Sequence, residues 1–220
     1  MKKPNKDRGG CKDVFHAALI KDAHFAGEYG FPIIREEHRI PRKLIRFSAT
    51  LREDKDFHQW VMFYEDDHLF ERIWNCPQKY LPMLKRFDGV ITPDFSLYYD
   101  MPLAMQIWNI YRSRAIGAWL QTNGVRVIPN IRFGSPETYD FVCDGISRHS
   151  VIAIGTLGCI KNRIYHEEFE RGIIRVAQEL EPEAIVFYGS LPSSVAKLKK
   201  CGIEIVNIRC DYSFFRKEGK

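Results

Sequence analysis

The chain has 220 residues, 45% of them apolar and 28% charged, so it is long enough to bury one hydrophobic core and has the composition of a globular domain. It contains no apolar run near the roughly 18 residues of a membrane span, and its lysine-rich start leads into no apolar signal core, which excludes a membrane protein and predicts a cytoplasmic one. Of the net charge of +5, residues 1–12 and 192–220 carry +4 each and the rest carries −3, so basicity alone does not indicate nucleic-acid binding. We expect one domain over residues 1–220, with 1–10 and 212–220 as flexible basic ends.

The first part of the chain predicts two helices and two strands. The apolar spacing predicts an amphipathic helix over Lys12 to Phe25, and a longer helix over Leu69 to Arg86 that is broken or kinked near its two prolines. Between them, Leu44 to Thr50 and Trp60 to Tyr64 read as strands separated by a charged segment.

From residue 88 onward one pattern repeats, in which a β-branched run is followed by a polar loop, an amphipathic stretch and a glycine. Prolines at 102, 136 and 192 indicate helix starts, and glycines at 124, 145 and 202 indicate helix ends. A further helix, Tyr165 to Leu180, ends before a proline. The predicted strands are Gly89 to Thr92, Val125 to Ile131, Val151 to Ile154, Ala184 to Tyr188 and Ile203 to Ile208.

Strands that alternate with helices in this way predict an α/β fold of repeated βα units with a largely parallel sheet. Seven strands are one short of a closed eight-fold barrel, so an incomplete (βα) barrel is our first choice. An open doubly wound sheet is the alternative.

The six cysteines are dispersed and form no C-x-x-C pair, which predicts free thiols and indicates no zinc site. The acidic run Glu65 to Asp67, followed by His68, is compatible with a metal site. We favour the explanation that these carboxylates lie at the start of a helix, where they stabilise the helix dipole and can cap it, and we predict no metal site.

Three segments carry a resemblance to a known family: Thr92 to Ser96, Asn109 to Arg114, and Ile128 to Gly134. With later pieces they extend the likeness over roughly residues 11 to 210. The chain resembles an uncharacterised domain family of phages, plasmids and integrated mobile elements of bacteria. This resemblance implies a mobile-element context and no activity, cofactor or catalytic residue.

In parallel α/β folds ligands bind at the carboxyl ends of the strands, so the polar residues that follow each strand are the candidate site. Asp94 could act as a general base or a metal ligand, or it could simply bind backbone N–H groups of its loop. The loop from Gly155 to Asn162 contains two glycines and could hold phosphate or form an ordinary turn. The candidate ligand-binding residues are Ser96, Asn130, Arg132, Thr156, Lys161, Tyr188 and Ser190.

The predicted helix after Pro102 carries two arginines, Arg112 and Arg114, which we expect to be solvated or salt-bridged. Asn109 and Arg112 are three residues apart, so they share a helix face and could reach the same site.

Two functions are compatible with this pattern. The first is an enzyme or binding protein for a phosphate-bearing small molecule or nucleotide, with Asp94 as the acid/base group and Arg132 and Lys161 holding the anion. The second is an accessory protein of a mobile element that binds nucleic acid or a host protein through the basic ends and the segment Arg35 to Arg52.

Overall fold

The computed structural model describes residues 13–52, 55–157 and 163–210, with the side chains of residues 163–165 left out of that description. The strands are β1 (Phe25–Ala26), β2 (Phe31–Pro32), β3 (Leu44–Arg46), β4 (Trp60–Met62), β5 (Gly89–Ile91), β6 (Val127–Ile128), β7 (Val151–Gly155), β8 (Ala184–Tyr188) and β9 (Glu204–Ile208). The α-helices are α1 (Asp67–Asn75), α2 (Pro77–Leu84), α3 (Leu103–Thr122), α4 (Arg163–Leu180) and α5 (Val195–Lys200).

Parallel pairing dominates the fold, which confirms the α/β class. Strands β3-β4-β5-β6 form one parallel sheet and β7-β8-β9 form another, while β1 and β2 make a short antiparallel pair. The two parallel sheets meet just beyond β6, where Ile131 N donates to Ala153 O at 2.8 Å and Ala153 N donates to Pro129 O at 3.0 Å. The strands β3 to β9 therefore follow one another in space in the order of the chain.

One face of all seven of these strands packs into a single apolar cluster. Their other faces pack against helices, with β4 to β6 against α1, α2 and α3, and β7 and β8 against α4 and α5. Strands β7 and β8 are buried along their whole length, as expected for apolar runs covered on both faces. The inner cluster includes Leu44, Trp60, Met62, Tyr64, Ile91, Ile128, Val151, Ala153, Ala184, Val186, Tyr188, Val206 and Ile208.

The predicted helix over Lys12 to Phe25 is wrong within the described residues. Only a 3-10 turn, Ala17–Ile20, is present, and Phe25 already belongs to β1. The carboxylate of Asp13 accepts hydrogen bonds from Ala17 N and Ala18 N at 2.9 Å each, so a local side chain satisfies the first turn without a longer helix.

The predicted helix after Pro136 is also wrong. The segment forms a 3-10 turn, Pro136–Asp140, and then irregular backbone up to Gly145. Ser135 O, which would accept the first hydrogen bond of an α-helix, accepts instead from Thr138 N at 3.0 Å and from Thr138 Oγ1 at 2.7 Å. These local hydrogen bonds close a 3-10 turn where the helix was expected to begin. Near the end of the segment, Val142 O accepts a hydrogen bond from the guanidinium of Arg114 at 2.8 Å.

Other elements were predicted with small errors. The helix over residues 69–86 is broken at Cys76 into α1 and α2, as its prolines indicated. The strand from Leu44 ends at Arg46 because a 3-10 turn, Phe47–Leu51, follows it. No helix within the described ranges is long and apolar enough to cross a bilayer.

Candidate functional site

The neighbouring strands β5 and β6 place their following residues side by side at one end of the sheet. The hydroxyl of Thr92 accepts a hydrogen bond from Asn130 N at 2.9 Å, and Ser113 of α3 donates to Pro93 O at 2.8 Å. These contacts fix the two strand ends against each other and against α3. Asp94, Asn130 and Arg132, which sequence reasoning singled out, come together at this point.

The carboxylate of Asp94 is held by two different groups. Asn130 Nδ2 donates to Asp94 Oδ1 at 2.7 Å, and an Arg132 terminal nitrogen lies 3.5 Å from Asp94 Oδ2. The side chains of Asp94 and Arg132 are only 11% and 18% exposed. One oxygen of the carboxylate is therefore fixed by an amide, and the other faces a cation across a longer distance.

The surroundings of Asp94 act on its pKa in opposite directions. Burial raises the pKa of Asp94, while the charge of Arg132 and the hydrogen bond from Asn130 oppose the rise, and Asp67 adds to it. The net effect is a pKa above the usual value of an aspartate. A raised carboxyl pKa with a specific charged partner is a feature that acid/base residues share.

Tyr64 is a member of the site that sequence reasoning missed. Its hydroxyl donates to Asn130 Oδ1 at 3.0 Å, and its ring stacks on Tyr188 with centroids 5.1 Å apart and planes 12° apart. Burial holds the pKa of Tyr64 well above its usual value, so the hydroxyl stays a donor. The sequence did contain a signal for this residue. Tyr64 ends the predicted strand from Trp60, and it is two residues after Met62, so its side chain points to the same face as the inward-facing residues of β4.

Gly155, at the end of β7, is part of this packing. A Cβ atom on Gly155 would lie 2.5 Å from the Tyr64 ring and 3.5 Å from Asp94 Oδ2. The tyrosine ring occupies the space that a side chain at this position would need. Glycine here is therefore explained by close approach to the site.

Arg114 is almost completely buried next to the site and has no carboxylate among its hydrogen-bond acceptors. Besides Val142 O, its guanidinium donates to Asn130 O at 3.2 Å and to Asp144 O at 3.5 Å. Burial lowers the pKa of Arg114 to about 10, which still leaves it charged at neutral pH. This burial differs from the solvated or salt-bridged position that the sequence predicted.

The strand ends of β7 and β8 contribute less than predicted. Thr156 is buried and donates its hydroxyl to Tyr188 O at 3.2 Å, while Tyr188 lies in the stack with Tyr64. Ser190 is exposed in the loop after β8. Lys161 and most of the glycine-containing loop around it lie outside the described residues.

Ser96, Asn109 and Arg112 are brought together in a second cluster whose contacts fix the loop after Asp94. Asp67 accepts hydrogen bonds from Ser96 N at 3.1 Å and Ser96 Oγ at 2.8 Å, and Asn109 donates to Ser96 O at 2.7 Å. Arg112 donates to Asn109 Oδ1 at 2.7 Å and to Glu71 at 2.5 Å. Both terminal nitrogens of its guanidinium are thus held by internal partners, whereas its buried Nε has no hydrogen-bond partner among the described residues.

Two carboxylates of the Glu65 to Asp67 run, those of Glu65 and Asp67, accept hydrogen bonds from protein groups. Glu65 accepts hydrogen bonds from Ser48 N and Ser48 Oγ, and Asp67 accepts those from Ser96. Within residues 13–52, 55–157 and 163–210 no three histidine, cysteine or acidic side chains form a group suited to a metal ion. In the same residues Cys76, Cys143, Cys201 and Cys210 are free thiols, whereas Cys11 and Cys159 lie outside them.

Comparison with known proteins finds one family model and relatives among phage proteins. A family model described as a domain of unknown function, DUF4417, matches residues 23–208. The Gene 1 protein of Mycobacterium phage L5 is 39% identical over 184 residues, which is 83% of this chain and 80% of that protein. The Gene 1 protein of Mycobacterium phage D29 is 36% identical over 165 residues, 74% of this chain and 61% of that protein. No solved structure matches significantly.

Proposed function

We propose that this chain, which belongs to the DUF4417 family of domains of unknown function, binds or transforms a phosphate-bearing small molecule at the carboxyl ends of β5 and β6. The observation that carries the proposal is the Asp94–Asn130–Arg132 group, a nearly buried carboxylate and guanidinium whose separation is 3.5 Å. Arg132 is the residue that binds the anion, because a guanidinium pairs well with phosphate oxygens. Asp94 is the acid/base group.

The strand arrangement supports this placement if the seven strands form an incomplete (βα) barrel, which we also propose. Sequential parallel strands are the order of a barrel, whereas a doubly wound sheet reverses its order at a switch point. The convergence of one face of β3 to β9 into one apolar cluster agrees with a curled sheet. In such barrels the carboxyl ends of the strands form the ligand-binding mouth.

Titration calorimetry with three probes tests the anion site: inorganic phosphate, adenosine monophosphate and ribose 5-phosphate. We expect at least one probe to bind, and Arg132→Ala to weaken its affinity by about 30-fold or more, since a charge-assisted contact in a partly buried site contributes about 2 kcal/mol or more. Arg148→Ala is the matched control, because Arg148 pairs with Glu181 on the surface before β7 and its side chain is 56% exposed. It should leave the affinity unchanged.

Two results would overturn this proposal. One is the absence of binding for all three probes, and the other is an equal loss of affinity in both arginine variants. The alternative function, nucleic-acid binding, has its own signature because it depends on exposed cations. That function would be favoured by salt-sensitive binding of nucleic acid with two properties. The binding would be lost when the exposed cations Arg39, Arg42 and Lys43 are neutralised, and it would not change in Arg132→Ala.

A further inference from the structure

We infer that the site binds its anion together with one proton: when Arg132 pairs with the anion, Asp94 takes up a proton from solvent and becomes a neutral acid. This inference rests on the proposed anion site and adds the protonation state in which that site works. In the step an O–H bond forms on Asp94, the proton comes from water or buffer, and no other bond changes.

The charge balance of the site is the first reason. Without a ligand, Arg132 and Asp94 face each other and their charges cancel. Among the described residues, the other charged or titratable groups around Asp94 are Asp67 from α1, Tyr64 after β4 and Tyr188 from β8. None of these three can supply a positive charge, so Arg132 is the described cation that balances the Asp94 carboxylate.

The geometry of the ion pair is the second reason. At 3.5 Å the single contact between Arg132 and Asp94 Oδ2 is longer than the roughly 2.7–2.9 Å of a strong charge-assisted hydrogen bond. A phosphate or sulfate group offers the guanidinium two oxygens and can replace this contact with a bidentate one. The anion therefore competes for Arg132 with an advantage.

The consequence for Asp94 follows from its surroundings. Once Arg132 faces the anion, the carboxylate is left with 11% exposure, beside a new negative charge and near Asp67. Two negative groups that share a partly buried site cannot both stay ionised at low cost, and one of them binds a proton. Burial has already moved the pKa of Asp94 upward in the ligand-free protein, so Asp94 is the group that responds.

The position of the proton is also set by the structure. Asn130 Nδ2 donates to Oδ1, and Tyr64 holds the amide in that orientation, so Oδ2 is the oxygen that can carry the proton. Oδ2 is the oxygen nearest to Arg132, hence nearest to an anion bound by Arg132. A protonated Asp94 there donates a hydrogen bond to the anion and serves as a general acid.

The test uses inorganic sulfate, whose own charge does not change around neutral pH. Titration calorimetry of the whole chain at pH 7.5 in two buffers of different ionisation enthalpy gives the number of protons taken up. We expect net proton uptake when sulfate binds, with an upper limit of about one proton per sulfate because one carboxylate is involved. Asp94→Asn should bind sulfate with no proton uptake, while the control Asp140→Asn, which removes a carboxylate paired with Arg175 on the surface, should keep it.

The pH dependence gives a second measurement that needs no variant. Above the pKa of Asp94 in the free protein, binding requires a proton that solvent supplies less readily as pH rises. Between the pKa of Asp94 in the free protein and its higher pKa in the complex, the sulfate affinity should therefore fall by up to about tenfold for each pH unit. Sulfate binding without proton uptake, or uptake that persists in Asp94→Asn, overturns this inference and leaves the anion site standing. A chain that binds neither sulfate nor the phosphate probes overturns both proposals.

Discussion

The hydrogen bond from Tyr64 to Asn130 is the contact whose removal should tell most about the site. Tyr64→Phe keeps the stacked ring and removes only the hydroxyl that donates to Asn130 Oδ1 at 3.0 Å. Asn130 is 2% exposed, so water does not easily replace the lost donor. An unsatisfied buried acceptor costs about 1–3 kcal/mol, which for a chain of this size lowers the unfolding midpoint by about 2–12 °C.

The same substitution should change the chemistry of Asp94. Without the tyrosine hydroxyl, the Asn130 amide loses the contact that keeps its nitrogen towards Asp94, and the hydrogen bond that lowers the pKa of Asp94 weakens. We expect the pKa of Asp94 to rise further, as measured by carbon NMR titration of the carboxyl group. The control is Tyr29→Phe, since Tyr29 is 43% exposed and its hydroxyl makes no hydrogen bond within the described residues. An unchanged pKa and an unchanged midpoint in Tyr64→Phe would refute the assigned role of the hydroxyl.

Two further substitutions probe the packing and the charge of the site. Gly155→Ala forces a Cβ atom to within 2.5 Å of the Tyr64 ring. We expect the free energy of unfolding, measured with urea, to fall by about 1–3 kcal/mol. A free energy of unfolding equal to that of the original chain would contradict the close approach. Asp94→Asn combined with Arg132→Met removes both charges and keeps an acceptor for Asn130, so the double variant should be at least as stable as the original chain at pH 8. Arg132→Met alone leaves the carboxylate without its cation, so its free energy of unfolding should be about 1–3 kcal/mol lower than that of the original chain. A double variant that is less stable than this single variant would contradict the reasoning.

Much of the fold follows from local sequence signals. Apolar runs of four to five residues predicted β7 and β8 with nearly correct bounds, because strands buried on both faces leave a continuous apolar pattern. Proline and glycine predicted where α3 and α5 begin and end to within a few residues. The juxtaposition of Asp94 with Asn130 and Arg132 followed from the same assignments, since equivalent ends of adjacent parallel strands lie close together.

The errors arise where hydrogen bonds override the pattern of apolar, proline and glycine residues. The segment after Pro136 has the residues of a helix start and a glycine stop, yet the backbone and side chain of Thr138 both donate to Ser135 O and close a 3-10 turn there. The burial of Arg114 could not be predicted, because a charged residue in a helical pattern is usually solvated. Three backbone carbonyls that converge on its guanidinium make the burial tolerable, and their position is not visible in the sequence. Tyr64 was missed because a tyrosine at a strand end reads as core until its hydrogen-bond partner is known.

A structural role alone does not account well for the Asp94–Arg132 pair. Burying two charges costs more than a weak contact returns, and apolar residues of similar size usually stabilise such a place as well or better. The contact here is single and 3.5 Å long, while the shorter hydrogen bond to Asp94 comes from an amide. Asn130 in turn is held on its backbone by Thr92 and Arg114 and on its side chain by Tyr64. A rigid scaffold therefore surrounds an ion pair with a 3.5 Å contact, which agrees with the proposed movement of Arg132 from its carboxylate to an anion.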